Sequence, residues 1–202
     1  MLDQLNLTLF SALNADAGLA GWRLAGAVFA AEWLIMLVPL FLVLLWINGD
    51  QPQREVALRA FLAAACALTI NMCIGLLWFN PRPFMADIGH TFMYHAPDSS
   101  FPSDHATSIF SVALVLAFGR VAAARRLGAV LLPSSLVVAW ARVYLGVHWP
   151  MDMFGALIVS GAIAMLFTTR SAMAASSALV PLLETVYRRV LALPIARGWF
   201  RP

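Results

Sequence analysis

From Leu24 to Ile47 the chain carries a single charged side chain, Glu32. A run that long and apolar can satisfy its backbone polar groups in hydrocarbon only as a helix. Four more runs follow, at Val56–Phe79, Asp104–Phe118, Leu127–Gly146 and Pro150–Phe167. The third is short for a full crossing. Composition agrees, with 62% hydrophobic and 11% charged residues among 202 and a mean hydropathy of +0.83, which excludes an ordinary soluble domain. Spans of about 20 residues use up most of this length. The expected fold is an all-α integral membrane protein, one domain over residues 1–202, built as a bundle of five to six transmembrane helices.

The two ends read differently. Met1 to Leu13 places Leu2, Leu5, Leu9 and Phe10 in an amphipathic pattern, as expected of an interfacial helix. With Asp3 and Asp16 and no positive segment, it does not look like a cleaved signal peptide. The tail from Thr168 mixes alanine with Pro181, Glu184, Arg188 and Arg189. It is expected to be an interfacial or cytosolic helix, with a sixth span as the other reading. Cys66 and Cys73 lie about 10 Å apart along one helix, too far for a disulfide.

All 13 Lys and Arg residues are arginine, and the net charge is +3. They are scattered through loops and form no stripe, so nucleic acid is not an expected partner. If five spans alternate, Arg54 and Arg59, then Arg120, Arg125 and Arg126, then Arg170 and the tail all fall on one side. By the positive-inside rule that side is cytoplasmic. The loop from Asn80 to Ser103 and the segment from Arg142 to Asp152 then share the outer face.

Those outer segments hold three polar blocks: Pro81-Arg82-Pro83, Pro102-Ser103-Asp104-His105, and Arg142 with His148 and Asp152. Ionisable groups beside membrane spans are costly and mark functional sites. Arg82 and Arg142 offer guanidinium forks suited to phosphate oxygens. The prolines flanking Arg82 stiffen its loop. Ser103 stands at a helix start, where free N–H groups attract anions, and Asp104 complements the helix dipole. Asp152 can bond one ring nitrogen of His148 and leave the other free to attack, while His105 sits at the membrane edge as an acid or base. Taken singly, Pro102-Ser103-Asp104 also fits an ordinary helix start, His148 and Asp152 a solvated histidine beside a dipole-complementing acid, and Arg142 a snorkelling side chain. Trp149 reads as an interfacial anchor, Asn71 as inter-helix glue, and Glu32 as a group inside the bundle or facing the site. The histidines and acids of the outer loop, His90, His95, Asp87 and Asp98, follow no familiar metal-ligand spacing.

Together the blocks resemble the type 2 phosphatidic acid phosphatase superfamily, whose members carry Lys-x6-Arg-Pro, Pro-Ser-x-His and Ser-Arg-x5-His-x3-Asp. Here Ala141 stands where serine is usual, and Gly75 where the lysine is expected. The stretches 81–84, 100–105 and 142–150, with similar chain ends, look closest to the bacitracin-resistance type of undecaprenyl-diphosphate phosphatase, in which that lysine is often absent. The resemblance implies His148 as nucleophile, Asp152 as its orienting partner and His105 as the acid that protonates the leaving group. It implies Arg82, Pro83, Ser103, Asp104 and Arg142 as the substrate-binding set, with no metal and no cofactor. The implied partners are a polyprenyl diphosphate lipid and the bilayer; the implied setting is a bacterial inner membrane with the site facing the periplasm. Another lipid phosphatase or phosphotransferase, acting on phosphatidylglycerol phosphate, phosphatidic acid or lipid A, fits the same blocks. A transporter that exports or sequesters bacitracin is a third reading. His90 or His95 is the expected substitute for the missing lysine.

Overall fold

The computed structural model describes residues 2–202. Nine α-helices follow in order among them: α1 (Leu2–Leu13), α2 (Gly21–Glu32), α3 (Leu37–Ile47), α4 (Gln51–Leu77), α5 (Asp104–Ala117), α6 (Ala122–Tyr144), α7 (Pro150–Leu166), α8 (Arg170–Val190) and α9 (Ala192–Ala196). Helix α1 matches the expected interfacial helix from its second residue on; Met1 lies outside the described residues.

The five expected spans are all helical. The first is α2 and α3 joined through a 3₁₀ turn at Leu34–Met36. Pro39 explains the break, because it has no N–H to offer the carbonyl one turn back. Helix α4 starts five residues earlier than the apolar pattern suggests. Asp50 caps it by accepting from Gln53 N at 3.1 Å, and Gln53 Oε1 accepts from Asp50 N at 3.0 Å. Gly21–Ile47, Gln51–Leu77 and Ala122–Tyr144 are each long and apolar enough to cross a bilayer. Helices α5 and α7 are shorter, 14 and 17 residues. At 1.5 Å per residue they cover about 21 and 26 Å, under the roughly 30 Å of hydrocarbon. Both begin at buried polar residues, Ser103 and Asp152, so their first turns belong to the site.

Helix α5 is the hub. It packs against α4, α6 and α7, and nine of its residues are buried. A helix apolar all round belongs in the middle of a bundle. Its approach to α4 is close because Ala60, Ala63 and Ala67 recur on one α4 face, all fully buried. Asn71 continues that face a turn later. Its Nδ2 reaches Asp104 Oδ1 and Thr107 Oγ1 on α5, both at 2.9 Å, so it joins the two helices as expected. Toward α7, Ser160 Oγ donates to Thr107 O at 3.0 Å.

After α7 the chain turns by 79° into α8. The tail is therefore not a straight continuation of the fifth span. Buried Arg54 ties α8 to α4. It bonds Glu184 Oε1 at 2.9 Å, Trp46 O at 3.0 Å and Arg201 O at 3.0 Å, with Tyr187 stacked 5.1 Å away. Removing one partner of a buried ion pair strands the other charge. Glu184 is 20% exposed, so water offsets part of that cost. Glu184→Ala should therefore cost about 1–2 kcal/mol, read as a lower midpoint of thermal unfolding in detergent. An unchanged midpoint would mean the tail is not anchored through this pair.

Candidate active site

The site forms where α4 and α6 end and α5 and α7 begin. Chain direction alone thus brings the three polar blocks to one end of the bundle. Helix α6 stops at Tyr144, and Gly146 turns the chain with φ +78. A side chain there would collide with the His90 carbonyl, so only glycine lets the outer loop cross at this point. The turn delivers His148 just ahead of Pro150, which opens α7.

Asp152 does two jobs from one position. Its Oδ2 accepts from Trp149 N at 2.8 Å, capping α7, and lies 3.0 Å from His148 Nδ1. Its Oδ1 accepts from Ser100 Oγ at 3.4 Å, and Ser100 Oγ is itself held by Asn80 Nδ2 at 2.8 Å. A carboxylate fixed in this way takes the hydrogen on Nδ1. The lone pair is then on Nε2.

Three groups surround that ring. Ser103, the cap of α5, brings Oγ to 3.3 Å from Nε2. Arg82 Nη1 lies 3.0 Å from Nε2 and 3.4 Å from Nδ1. An in-line partner of Nε2 would sit well away from Nδ1. Arg82 therefore lies beside the ring and does not block the Nε2 lone pair. Its remaining donors reach Val147 O at 2.9 Å, Ser99 O at 3.3 Å and Asp98 Oδ1 at 2.8 Å. The His95 ring meets the His148 ring edge-on, centroids 5.9 Å apart.

Arg142 differs from Arg82. It is 1% exposed, and its one hydrogen bond runs from Nη1 to Ala31 O at 3.5 Å. Its Nε and Nη2 have no partner among the described residues. Buried donors are almost always satisfied, and an unpaired one costs about 1–3 kcal/mol, more for a charged group. Two such donors on one guanidinium are suited to an anion that bonds to both.

Burial holds His148 well below the usual imidazole range, and the positive charges of Arg142 and Arg82, with His95 and His105, push it the same way. Burial also lowers His95, as do Arg82 and Arg142, while its bond to the Ala96 carbonyl and the nearby Asp98 act in the opposite sense. A neutral imidazole with a fixed tautomer, buried among cations, has the chemistry to attack an anionic electrophile.

The structure brings His148, Asp152, Arg82, Ser103 and Arg142 to one place. His105 lies in the first turn of α5, close enough to influence His148 electrostatically but without a hydrogen bond among the described residues. Pro83 opens the short 3₁₀ turn after Arg82 and is buried. Asp104 points to Asn71 and is exposed. Trp149 is a correction: it is 6% exposed, packed on Phe10 at 4.9 Å, and donates Nε1 to Pro81 O at 2.8 Å. It braces the Arg82 loop from inside the protein, because the α1 helix covers it. His90 lies outside the ring of site residues; its backbone N–H donates to Asn14 Oδ1 at 2.7 Å. Sequence reasoning missed Asn80 and Ser100 as supports of Asp152, and Asp98 as the partner of Arg82. The paired Ser99-Ser100 ahead of a Pro-Ser helix start is the available signal for one of them; Asn80 and Asp98 offer none. Among the described residues, no three His, Cys, Asp or Glu side chains gather as a metal-ligand set.

Residues 56–180 match the model of the PAP2 superfamily. The chain is 43% identical over its whole length to an Escherichia coli protein, YbjG, named as a candidate undecaprenyl-diphosphatase, and covers all of it. It is 36% identical to the undecaprenyl-diphosphatase BcrC of Bacillus subtilis, over 69% of this chain and 70% of that one. It is 27% identical to the bacitracin transport permease protein BcrC of Bacillus licheniformis, over 93% of this chain and 92% of that one. The crystal structure of Aquifex aeolicus LpxE superposes with a TM-score of 0.63 at 21% identity, over 80% of this chain and 93% of that one, which supports the fold.

Two outcomes follow from the geometry. Asp152→Asn replaces an acceptor with a group that can also donate, and so releases the tautomer. It should lower kcat by about 10³-fold or more, while Ser100→Ala, which loosens only one support, should cost about tenfold; steady-state kinetics of both variants decides. Because the His148 pKa is lowered, the ring stays neutral as pH falls through 6.5 and is protonated only below it. The acid limb of kcat/KM should therefore lie below pH 6.5; a limb centred at 6.5 or above would contradict the buried, cation-flanked nucleophile.

Proposed function

The chain belongs to the PAP2 superfamily, and from that premise we propose that it hydrolyses undecaprenyl diphosphate to undecaprenyl phosphate and inorganic phosphate through a phosphohistidine. The observation that carries this reading is the pairing of a tautomer-fixed, unobstructed His148 Nε2 with the two unpartnered donors of Arg142. The names of the two relatives above 30% identity support the substrate.

In this reading the terminal phosphoryl group of the diphosphate takes the free Nε and Nη2 of Arg142, with Arg82 and Ser103 at its other oxygens. Phosphoryl transfer needs positioning and charge stabilisation above all. Nε2 of His148 forms the bond to phosphorus as the bridging P–O bond breaks. Asp152 steadies the positive ring that results. His105 gives a proton to the departing lipid phosphate, then takes one from the water that cleaves the P–N bond. Inorganic phosphate leaves, and both histidines return to their starting state. Pro83 and Asp104 support the set at one remove, through the Arg82 turn and the Asn71 bridge. The chemistry draws only on these side chains and requires no metal.

The missing lysine has a substitute in this scheme. An added Cβ at Gly75 would meet Ser99 Cβ at 3.4 Å, so the outer loop packs over the place a lysine would leave from. That loop carries His95 to the face of His148. His95, not His90, is thus the candidate for the second phosphate. Asp98 occupies Arg82 until the substrate displaces it. In this reading, which the distribution of arginines supports, the site faces the periplasm of a bacterial inner membrane, where hydrolysis would recycle the cell-wall lipid carrier and confer bacitracin resistance.

The test is phosphate release by purified protein in excess EDTA, across polyprenyl diphosphate, phosphatidylglycerol phosphate and phosphatidic acid. Polyprenyl diphosphate should be preferred, and His148→Ala and His105→Ala should each lose at least about 10³-fold. His95→Ala should raise KM for the diphosphate more than for the monophosphates. Preference for a diacyl phosphate would move the substrate to that class, and wild-type turnover in either catalytic variant would refute the mechanism.

A further inference from the structure

The bundle has a second cationic recess at the end opposite the catalytic site. It lies where α5 and α7 finish, at Phe118–Val121 and Thr168–Met173. A cavity of about 570 Å³ there is lined by Arg59, Arg120 and Arg170, with no acid among its lining residues. None of the three arginines forms an ion pair among the described residues. Glu55, a turn before Arg59, accepts from Gln51 Nε2 at 3.2 Å and acts on Arg59 only at longer range, without an ion pair. The Nε of Arg59 is buried and has no hydrogen-bond partner. Val121, the cap position of α6, also lines the recess and supplies no side-chain cap, so first-turn N–H groups of that helix stay free.

An apolar groove continues from the recess. A second cavity of about 250 Å³ shares Arg59, Phe118, Gly119 and Thr168 with it and runs on between α5 and α7 past Leu114, Val115 and Ala164. Gly161 opens this groove: a Cβ added there would meet no atom within 4 Å. The positive-inside rule accounts for arginines on this side of the membrane. It does not account for three of them converging on one cavity, unpaired, at the mouth of an apolar channel.

We propose that this recess and groove bind a lipid with an anionic phosphate headgroup, the phosphate among Arg59, Arg120 and Arg170 and a hydrocarbon chain along Gly161. Guanidinium groups bind phosphate oxygens well, and a free donor inside a bilayer-facing cavity demands an acceptor. The groove separates this ligand from free phosphate, which would leave it unused. The reading is independent of what the catalytic site hydrolyses.

The test is native mass spectrometry of the full-length protein in detergent with phosphatidylglycerol, phosphatidylcholine or inorganic phosphate. Wild type should retain one phosphatidylglycerol in preference to phosphatidylcholine, and Arg142→Ala should retain it too, which separates it from the catalytic site. The R59Q/R120Q/R170Q variant should bind it at least about tenfold more weakly. Gly161→Leu fills the groove without touching a charge; it should weaken binding as well and leave turnover unchanged. Equal retention by wild type and both variants would overturn the proposal, as would equal retention of phosphatidylcholine. Full competition by inorganic phosphate would assign the recess to the free ion and refute the lipid.

Discussion

A guanidinium buried to 1% exposure with two unanswered donors is the most demanding group in this membrane protein. Most of the site can be understood as the surroundings it requires. Arg142 sits within a turn of the end of α6, where backbone carbonyls favour a cation. That end effect and the Ala31 carbonyl answer only part of its need. On the proposed reading, the rest is left for an incoming anion. A site so poised gives strong binding to a group that gathers negative charge in the transition state, where the gain appears as rate.

Several side chains serve fold and chemistry together. Asp152 caps α7 and aligns His148 with the same oxygen. Ser103 caps α5 and faces Nε2. Asn71 joins α4 to α5 and holds Asp104. Such sharing explains why α5 and α7 are short. A capped helix start placed within the bundle exchanges a few residues of membrane span for N–H groups and side chains aimed at the substrate. Gly146 and Trp149 hold the arrangement from the loop side, one by permitting a tight crossing and the other by bracing Pro81.

The sequence displayed the helices and the reacting groups because both depend on local pattern. Apolar runs locate spans, and the alternation of spans places Arg82, His105 and His148 at one end before any contact is known. The supports were hidden because they depend on how the outer loop folds. Asn80 and Ser100 reach Asp152 only after residues 80 and 100 pair through the Ser100 N to Asn80 O bond of 2.8 Å. Asp98 finds Arg82 across the same loop. Trp149 looked like a lipid-facing anchor because α1 shields it from far away in sequence. The apolar pattern understates a helix where hydropathy stops before a capped start, as at Asp50.

The central claim is covalent: His148 accepts the phosphoryl group. The direct measurement is rapid quenching of the purified protein in alkali during turnover of terminally labelled polyprenyl diphosphate, followed by location of the label in the chain. The account predicts an acid-labile phosphoramidate on His148, absent from His148→Ala and formed more slowly in His105→Ala, where the leaving group lacks its acid. Full turnover with no labelled protein, or label on His105 or His95, would contradict it.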